Sequence, residues 1–189
     1  MKIGILAVQG DYEAHAAMLE RLGATPVFVR APAHLKNCDA LILPGGESST
    51  QLKFMQEEGL EPAVRKFAQS HPIFGTCAGV ILLAREVRNP AQASLGLADI
   101  VVTRNAYGRQ LASDVRLAPT QLKPEPLEMV FIRAPIIESF GPGVVVLAEC
   151  DGRPVLVRQG HILAATFHPE LTADTTVHDY FLRLAKNGQ

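Results

Sequence analysis

The chain has 189 residues, of which 48% are hydrophobic, enough for one well-buried core and rather few for two, so we expect a single domain over residues 1–189. Lysine and arginine number 18 against 19 acidic residues, and the net charge is −1. Because no basic cluster accompanies aromatic residues, this composition argues against nucleic acid as a partner. The first apolar run is too short for a signal peptide and no later run could cross a bilayer, so no membrane partner is expected either.

The three cysteines are odd in number and far apart, and no C-x-x-C spacing occurs. Neither a disulfide framework nor a metal site is therefore indicated. Unpaired cysteines fit a reducing compartment, which predicts a cytoplasmic protein. Because G-x-G-x-x-G and G-x-x-x-x-G-K-[ST] are both missing, nothing indicates a dinucleotide, and we expect no cofactor.

The first thirty residues predict a strand, a helix and a second strand. Residues 3–8 form a β-rich apolar run, apolar residues recur at helical spacing over 12–22 until Gly23, and residues 26–29 are apolar again. Strands that are apolar throughout and joined by a helix predict a parallel unit buried on both faces, the opening of a doubly wound α/β fold. Functional residues are then expected at the carboxyl ends of the strands.

The next apolar strand, residues 40–43, runs into the sequence Pro44-Gly45-Gly46-Glu47-Ser48. Two adjacent glycines leave the backbone free to present N–H groups to an anion. The alternative is an ordinary turn that ends in a serine or threonine helix cap. Taken without Cys77, the glycine loop favours the ordinary turn.

Cys77 follows the short apolar strand 72–74 and precedes a helix that begins at Ala78. A tight corner between a strand and a helix is typical of a nucleophile elbow, and the small residues Gly75 and Gly79 allow the two elements to approach closely. The helix N-terminus then favours the thiolate, the reactive form. Taken alone, Cys77 is better explained as a small buried apolar residue, as most lone cysteines are.

Beyond residue 95 short strand-like runs follow one another without helices between them. They cover residues 99–103, 113–117, 128–132, 144–149, 154–159 and 161–167. Consecutive strands predict antiparallel pairing, with a hairpin turn at Gln159-Gly160, and residues 176–186 predict a final amphipathic helix. The fold class is therefore α/β, with a mixed, mainly parallel, doubly wound sheet flanked by helices and added antiparallel strands.

His168 and Glu170 are two residues apart at the end of the last strand-like run, where side chains on an extended chain point the same way. With Cys77 as nucleophile, His168 as base and then acid, and Glu170 orienting the imidazole, they form a possible Cys-His-Glu triad. Backbone N–H groups of Ala78 and of Gly46 in the glycine loop would form the oxyanion hole. Taken alone, His168 is better explained as a structural histidine and Glu170 as a solvated surface acid. The other histidines show no ligand spacing and are predicted to be structural.

These motifs resemble the class I, triad-type glutamine amidotransferases, and within them most closely the glutaminase subunits of bacterial pyridoxal 5′-phosphate synthases. The motifs that carry the resemblance are residues 6–10, 44–50, 75–79, 104–110, 131–135 and 167–170. Since they spread over nearly the whole chain, the resemblance is specific. It implies a class I glutamine amidotransferase-like fold and hydrolysis of L-glutamine to L-glutamate and ammonia through a thioester.

The resemblance also implies the residues and partners of that reaction. Its glutamine-binding residues would be Gly46, Glu47, Ser48, Arg104, Ile132 and Arg133. The ammonia would pass to a separate (β/α)8-barrel synthase subunit, with twelve copies of each chain in the complex, for the synthesis of pyridoxal 5′-phosphate (vitamin B6). Because a peptide between glycines flips at low steric cost, the oxyanion hole could form only when the synthase docks near Gln9 and the Gly45-Gly46 loop.

Three alternatives remain open at this point. The chain could be the glutaminase of another pathway, such as imidazole glycerol phosphate synthase, although residues 104–110 and Ile132-Arg133 argue against it. It could be a non-catalytic binding subunit with the same fold, or a cysteine hydrolase or chaperone of the related elbow superfamily. The presence of all three triad residues disfavours the second, and the glycine loop disfavours the third.

Overall fold

The computed structural model describes residues 1–104 and 113–187 of the chain. Its strands are β1 (Lys2–Leu6), β2 (Thr25–Val29), β3 (Ala40–Leu43), β4 (Ile73–Thr76), β5 (Ala84–Arg88), β6 (Ala98–Thr103), β7 (Ser113–Ala118), β8 (Leu127–Ile132), β9 (Ile136–Phe140), β10 (Val145–Cys150), β11 (Arg153–Gln159) and β12 (Ile162–Ala165). Its α-helices are α1 (Tyr12–Arg21), α2 (Ser48–Glu57), α3 (Leu60–Phe67), α4 (Ala78–Leu83) and α5 (Thr176–Asn187). Among the described residues no helix has the length and apolar character needed to cross a membrane.

Seven strands form the central sheet, in the order β10-β11-β12-β4-β3-β1-β2. The strands from β12 to β2 are all parallel, while β10 and β11 add to the β12 edge in antiparallel orientation. This confirms the predicted mixed, mainly parallel sheet. The parallel arrangement places the carboxyl ends of β1, β3, β4 and β12 at one edge of the sheet.

Both faces of the central sheet are covered, which explains why its strands are apolar throughout. On β3, Leu41 and Leu43 pack into the core on the side of α2, α3 and α4, whereas Ala40 and Ile42 pack into the core on the side of α1 and α5. Alternate residues of a strand point to opposite faces, so a strand between two helical layers has no polar side. The doubly wound architecture is therefore confirmed.

Two smaller sheets, which the sequence did not separate from the main one, lie outside it. One has the order β5-β6-β9, and the other pairs β7 with β8. Helix α4 ends at Leu83 because the carbonyl oxygens of Leu82 and Leu83 accept hydrogen bonds from the backbone of Leu95 and Leu97, and the chain then continues directly as β5. Strands β5 and β9 were not predicted, since these long-range bonds leave no signal in the local sequence pattern.

Candidate active site

Cys77 lies at the corner between β4 and α4, as the sequence predicts. Its backbone has φ 45° and ψ −102°, a sparsely populated conformation for a residue with a side chain. The Cys77 N–H donates to the carbonyl oxygen of Ala165 at 2.9 Å, which ties the corner to the end of β12. The strain and this anchor together hold the thiol at the carboxyl edge of the sheet.

The two glycines on either side of Cys77 permit this corner. A Cβ atom at Gly75 would lie 2.7 Å from the Gly79 carbonyl carbon, and one at Gly79 would lie 2.0 Å from the carbonyl oxygen of Leu43. Neither distance is compatible with a side chain. Strand β4, helix α4 and strand β3 can therefore approach one another closely only with glycine at both positions, as expected.

His168 and Glu170 lie beyond the end of β12 and are in direct contact. The Nδ1–H of His168 donates to Glu170 Oε1 at 2.7 Å. Their geometry differs from the sequence expectation, because Pro169 begins a 3-10 helix over Pro169–Leu171 and the pair does not lie on extended chain. Proline sets φ near the helical value, so the chain turns at that residue and brings the carboxylate back to the imidazole. The His168 N–H donates to the carbonyl oxygen of Val130 at 2.8 Å, which fixes the segment against β8.

The surroundings of His168 favour its protonated form. Burial lowers the pKa of His168, but the interactions with Cys77 and Glu170 outweigh it and raise the pKa to about 10. Burial raises the pKa of the Glu170 carboxyl. The hydrogen bond with His168 acts in the opposite direction but does not cancel this shift. An imidazolium next to Cys77 supplies the positive charge that a thiolate nucleophile requires.

A cavity of about 350 Å³ opens at the carboxyl edge of the sheet, and both Cys77 and His168 line it. Glu170 is 5% exposed and is not part of the cavity wall, so it lies behind His168. The predicted site residues that line this cavity are Gly46, Glu47, Ser48, Cys77, Ala78, Arg104, Ile132, Arg133 and His168. The structure thus brings all the predicted site residues to one place, and their roles remain predictions.

The glycine loop after β3 forms one side of the cavity. The carbonyl oxygen of Gly45 accepts from the Asp11 N–H at 3.3 Å and from Gln51 Nε2 at 3.4 Å. The carbonyl and N–H of a trans peptide point in opposite directions, so the Gly46 N–H points away from Asp11. The Glu47 N–H donates to Gln9 Oε1 at 2.7 Å, which links this loop to the loop after β1.

Glu47 and Arg104 form an ion pair at the cavity wall. Arg104 Nη2 donates to Glu47 Oε1 at 3.0 Å, and Arg104 Nη1 also donates to Gln92 Oε1. The other carboxylate oxygen of Glu47 accepts from the backbone N–H of Thr50 at 2.9 Å and so caps α2. Burial acts to raise the pKa of Glu47, but its hydrogen bonds from Ser49 and Thr50 prevail and lower it to about 2. Glu47 is therefore ionised at any physiological pH.

The segment after β8 supplies the opposite wall. The thiol of Cys77 lies 3.9 Å from the carbonyl oxygen of Ile132, a long contact for a sulfur donor. Arg133 has φ 45°, and within residues 1–104 and 113–187 no carboxylate pairs with its guanidinium. Of the motif that begins at Arg104, residues 105–110 lie outside the described part of the chain.

Asp11, which the sequence analysis did not single out, lies beside the imidazole. Its Oδ2 is 3.4 Å from His168 Nδ1, and together with Glu170 these residues offer three potential metal ligand atoms within 4.8 Å. A protonated Nδ1 cannot bind a metal, because its lone pair is used by the proton. We therefore interpret the group as an imidazolium flanked by two carboxylates. The sequence signal that could have identified Asp11 is its position just after β1, since functional residues are expected at the carboxyl ends of the strands.

Two further polar residues were missed for different reasons. Gln92 accepts a hydrogen bond from Ser48 Oγ at 3.0 Å in addition to the one from Arg104, so it connects two predicted glutamine-binding residues. Gln92 lies between β5 and β6, in a segment whose sequence contains no motif that indicates a functional role. His15 is fully buried within 3.5 Å of Glu170, and helical periodicity predicts its burial but not its neighbour.

The chain is similar in sequence to curated proteins over nearly its whole length. The relatives named "Pyridoxal 5′-phosphate synthase subunit PdxT" include one from Koribacter versatilis, 57% identical over 100% of this chain and 97% of its own length. Another from Solibacter usitatus is 54% identical over 96% of this chain and 97% of that protein. The chain thus matches these relatives over almost their whole length.

Solved structures give the same result. A crystal structure of a glutamine amidotransferase has a TM-score of 0.92 and 47% sequence identity, and covers 97% of this chain and 98% of its own. A putative GMP synthase protein from Thermoplasma acidophilum has a TM-score of 0.71 at 17% identity over 99% of this chain and 94% of that one, which shows a shared fold alone. Residues 5–187 match the SNO glutamine amidotransferase family, and the chain therefore belongs to that family.

Proposed function

We propose that the chain is the glutaminase subunit of a pyridoxal 5′-phosphate synthase, which hydrolyses L-glutamine and delivers the ammonia to a synthase subunit. Family membership and relatives of 44–57% identity that carry this name support the proposal. The observation that carries the chemistry is the strained Cys77, which lines one cavity with His168, whose imidazole is hydrogen-bonded to the buried Glu170. We also propose that the chain works as one domain in the cytoplasm.

In the first half of the proposed reaction, Cys77 Sγ attacks the side-chain amide carbon of glutamine. The carbonyl oxygen becomes an oxyanion, which the N–H groups of Ala78 and Gly46 stabilise, because both residues line the cavity next to the thiol. His168, protonated beforehand, donates its proton to the leaving nitrogen. The C–N bond breaks, ammonia leaves, and a thioester to Cys77 remains.

In the second half, a water molecule attacks the thioester carbon. His168, now neutral, accepts a proton from that water, and the C–S bond breaks to release glutamate and restore the thiolate–imidazolium pair. Glu170 keeps the imidazole in the tautomer that has its proton on Nδ1, so that Nε2 faces the reacting atoms. Water and glutamine are consumed, and glutamate and ammonia are formed.

The charged groups of the cavity match the free ends of glutamine. Arg133, whose guanidinium has no carboxylate partner among the described residues, is available for the α-carboxylate. Glu47 Oε1 and the Ile132 carbonyl oxygen offer acceptors for the α-ammonium. Arg104 acts by holding Glu47 in place. Gln92 accepts hydrogen bonds from both Arg104 and Ser48, and so fixes the position of the guanidinium. Glutamine is thereby oriented with its side-chain amide toward Cys77.

The experiment that tests the function measures ammonia release by the purified chain, with and without the candidate synthase subunit from the same source. The Gly45 carbonyl is held by two long hydrogen bonds, and the loop is tied to Gln9, so docking near Gln9 can reorganise the proposed oxyanion hole at low cost. We expect the partner to raise the rate by at least ~10-fold, which corresponds to a shift of about 1.4 kcal/mol.

The fate of the nitrogen distinguishes this pathway from others. With glutamine labelled with ¹⁵N in its side-chain amide, the label is expected in the pyridoxal 5′-phosphate ring, even in the presence of unlabelled ammonium salts. Equal turnover with and without the partner would rule out the docking-dependent oxyanion hole. Label that never reaches the product would contradict the assigned pathway, and no turnover in either mixture would favour a non-catalytic binding subunit.

Arg104→Lys tests the proposed glutamine-binding wall. A lysine offers one point of charge and cannot hold Glu47 and Gln92 together as the guanidinium does. Loss of one charged hydrogen bond predicts a KM for glutamine raised by about 10-fold, with kcat changed by less than about twofold. The matched control is Arg88→Lys on the neighbouring strand, whose guanidinium is 50% exposed and pairs with Glu86 and Glu138. An unchanged KM for Arg104→Lys would contradict this role.

A further inference from the structure

Behind the proposed triad lies a buried polar network, which we define as His15, Thr76 and His178. The three side chains come from α1, β4 and α5, and each residue is 0% exposed. Burial of polar groups is unfavourable unless their hydrogen bonds are satisfied. The mechanism above uses none of the three.

The network contacts both functional parts of the site. His15 Nδ1 is 2.9 Å from His178 Nε2, and His15 Nε2 is 3.1 Å from Thr76 Oγ1 and 3.5 Å from Glu170 Oε2. Thr76 Oγ1 also accepts the N–H of Gly45 at 3.0 Å. One nitrogen of His15 therefore faces the carboxylate that orients His168 and the hydroxyl that holds the glycine loop.

The hydrogen-bond partners of His15 and His178 determine which ring nitrogen of each carries the proton. His178 Nδ1 is buried and has no hydrogen-bond partner among the described residues. If His15 carried its proton on Nδ1 and donated to His178 Nε2, neutral His178 would have a buried N–H at Nδ1 with no acceptor, which is costly. In the other tautomer His178 Nε2–H donates to His15 Nδ1, and only a lone pair of His178 is unpaired. The proton of His15 is therefore on Nε2, facing Thr76 and Glu170.

Glu170 needs a donor on its second oxygen. Oε1 is used by His168, while Oε2 is buried and makes no hydrogen bond within the described residues. A buried carboxylate oxygen without a nearby donor favours protonation of the carboxyl, which would remove the negative charge that stabilises the imidazolium. The Nε2–H of His15, 3.5 Å away, is the group placed to oppose this.

We propose that His15 is a positioning residue, whose Nε2–H keeps the Glu170 carboxylate ionised and oriented toward His168. Through Thr76, the same N–H also links this carboxylate to the Gly45 loop. Burial, with smaller contributions from His178 and His168, lowers the pKa of His15 well below its usual value. Burial likewise lowers the pKa of His178 to about 3. Both side chains are thus neutral, so the donor adds no positive charge to compete with the imidazolium. The inference rests on the proposed triad.

Two amide substitutions of equal polarity provide the test. In His15→Gln the side-chain NH₂ takes the place of Nε2 and still reaches Glu170, whereas in His15→Asn it takes the place of Nδ1 and cannot. With the synthase present, we expect His15→Asn to lower kcat by about 10-fold with KM nearly unchanged, the size of effect typical of outer partners of an active-site group. His15→Gln is expected to stay within about threefold of the wild type.

The rate of Cys77 alkylation by iodoacetamide, followed on its peptide by mass spectrometry as a function of pH, provides a readout that needs no glutamine. A weakened Glu170 stabilises the imidazolium less, so in His15→Asn the alkylation profile should move to higher pH by about half a unit or more. In a Glu170→Gln background, His15→Asn should change kcat by less than about twofold and shift the alkylation profile by less than about 0.2 pH units. The reason is that this background has no carboxylate for His15 to position. Leu19→Ala, one turn along α1 in the core, controls for lost stability and should leave the profile unchanged.

Equal kcat values and profiles for His15→Asn and His15→Gln would overturn the inference, and so would a His15→Asn loss that persists undiminished in the Glu170→Gln background. Failure of the triad itself appears separately. A wild-type alkylation profile that does not respond to Glu170→Gln alone would contradict the proposed function before His15 is in question.

Discussion

Replacement of Cys77 by alanine is expected to lower the rate of ammonia release from glutamine by at least about 10⁴-fold, measured with the synthase subunit present. Without the thiol no thioester can form, and the remaining donors of the cavity cannot split the hydrolysis into its two easier steps. Glutamine binding should be nearly unaffected, because the contacts assigned to its α-carboxylate and α-ammonium lie on Glu47, Ile132 and Arg133. The expected result is therefore a loss in kcat with binding retained.

The same substitution has a second, spectroscopic consequence. Because the interaction with Cys77 is one of the causes that raise the pKa of His168 to about 10, the alanine variant is expected to have a lower pKa at His168. A ring-proton NMR titration of His168 in both proteins measures the change. The sign follows from the removal of a partner that favours the charged form.

Cys150→Ala is the matched control for the nucleophile. Cys150 is a half-buried free cysteine at the end of β10, outside the cavity that contains Cys77. Its variant should retain wild-type turnover. Substantial activity in Cys77→Ala, or an equal loss in Cys150→Ala, would contradict the assignment of the nucleophile.

The elbow and the parallel core could be predicted because both depend on local sequence. The apolar strand before Cys77 and the glycines on either side specify the corner, and uninterrupted apolar runs specify strands covered on both faces. The contact between His168 and Glu170 was expected, but its cause was not: Pro169 turns the chain into a 3-10 helix where an extended strand was predicted. The two residues meet in either geometry, which is why the prediction of their proximity does not depend on the error.

Other parts of the site could not be predicted, because they are decided by contacts between distant segments. The hydrogen bonds that end α4 come from Leu95 and Leu97, and the partner that makes His15 more than a core residue is Glu170. Periodicity predicts that a side chain is buried but not which polar atom it meets there. Gln92 illustrates the same limit, since its interactions with Ser48 and Arg104 have no counterpart in spacing or composition.

Gly79→Ala is expected to destabilise the protein by roughly 3 kcal/mol or more, toward the upper end of overpacking effects. The added Cβ would lie 2.0 Å from the carbonyl oxygen of Leu43 and 2.9 Å from its carbonyl carbon. These are backbone atoms of a central strand, so no side-chain rotation can relieve the contact, and α4 would have to move away from β3. Since native proteins are stable by only about 5–15 kcal/mol, this loss is a large fraction of the total free energy of unfolding.

Urea unfolding of purified protein measures the effect, with Gly143→Ala as the control. A Cβ at Gly143 would have Gln159 Nε2 at 3.6 Å as its nearest neighbour, an ordinary contact, so that variant should be within about 0.5 kcal/mol of the wild type. A Gly79→Ala protein as stable as the control would contradict the close approach of α4 to β3. If it folds at reduced stability, its turnover should fall further than stability alone explains, because the same displacement moves the Ala78 N–H and the Cys77 thiol relative to His168.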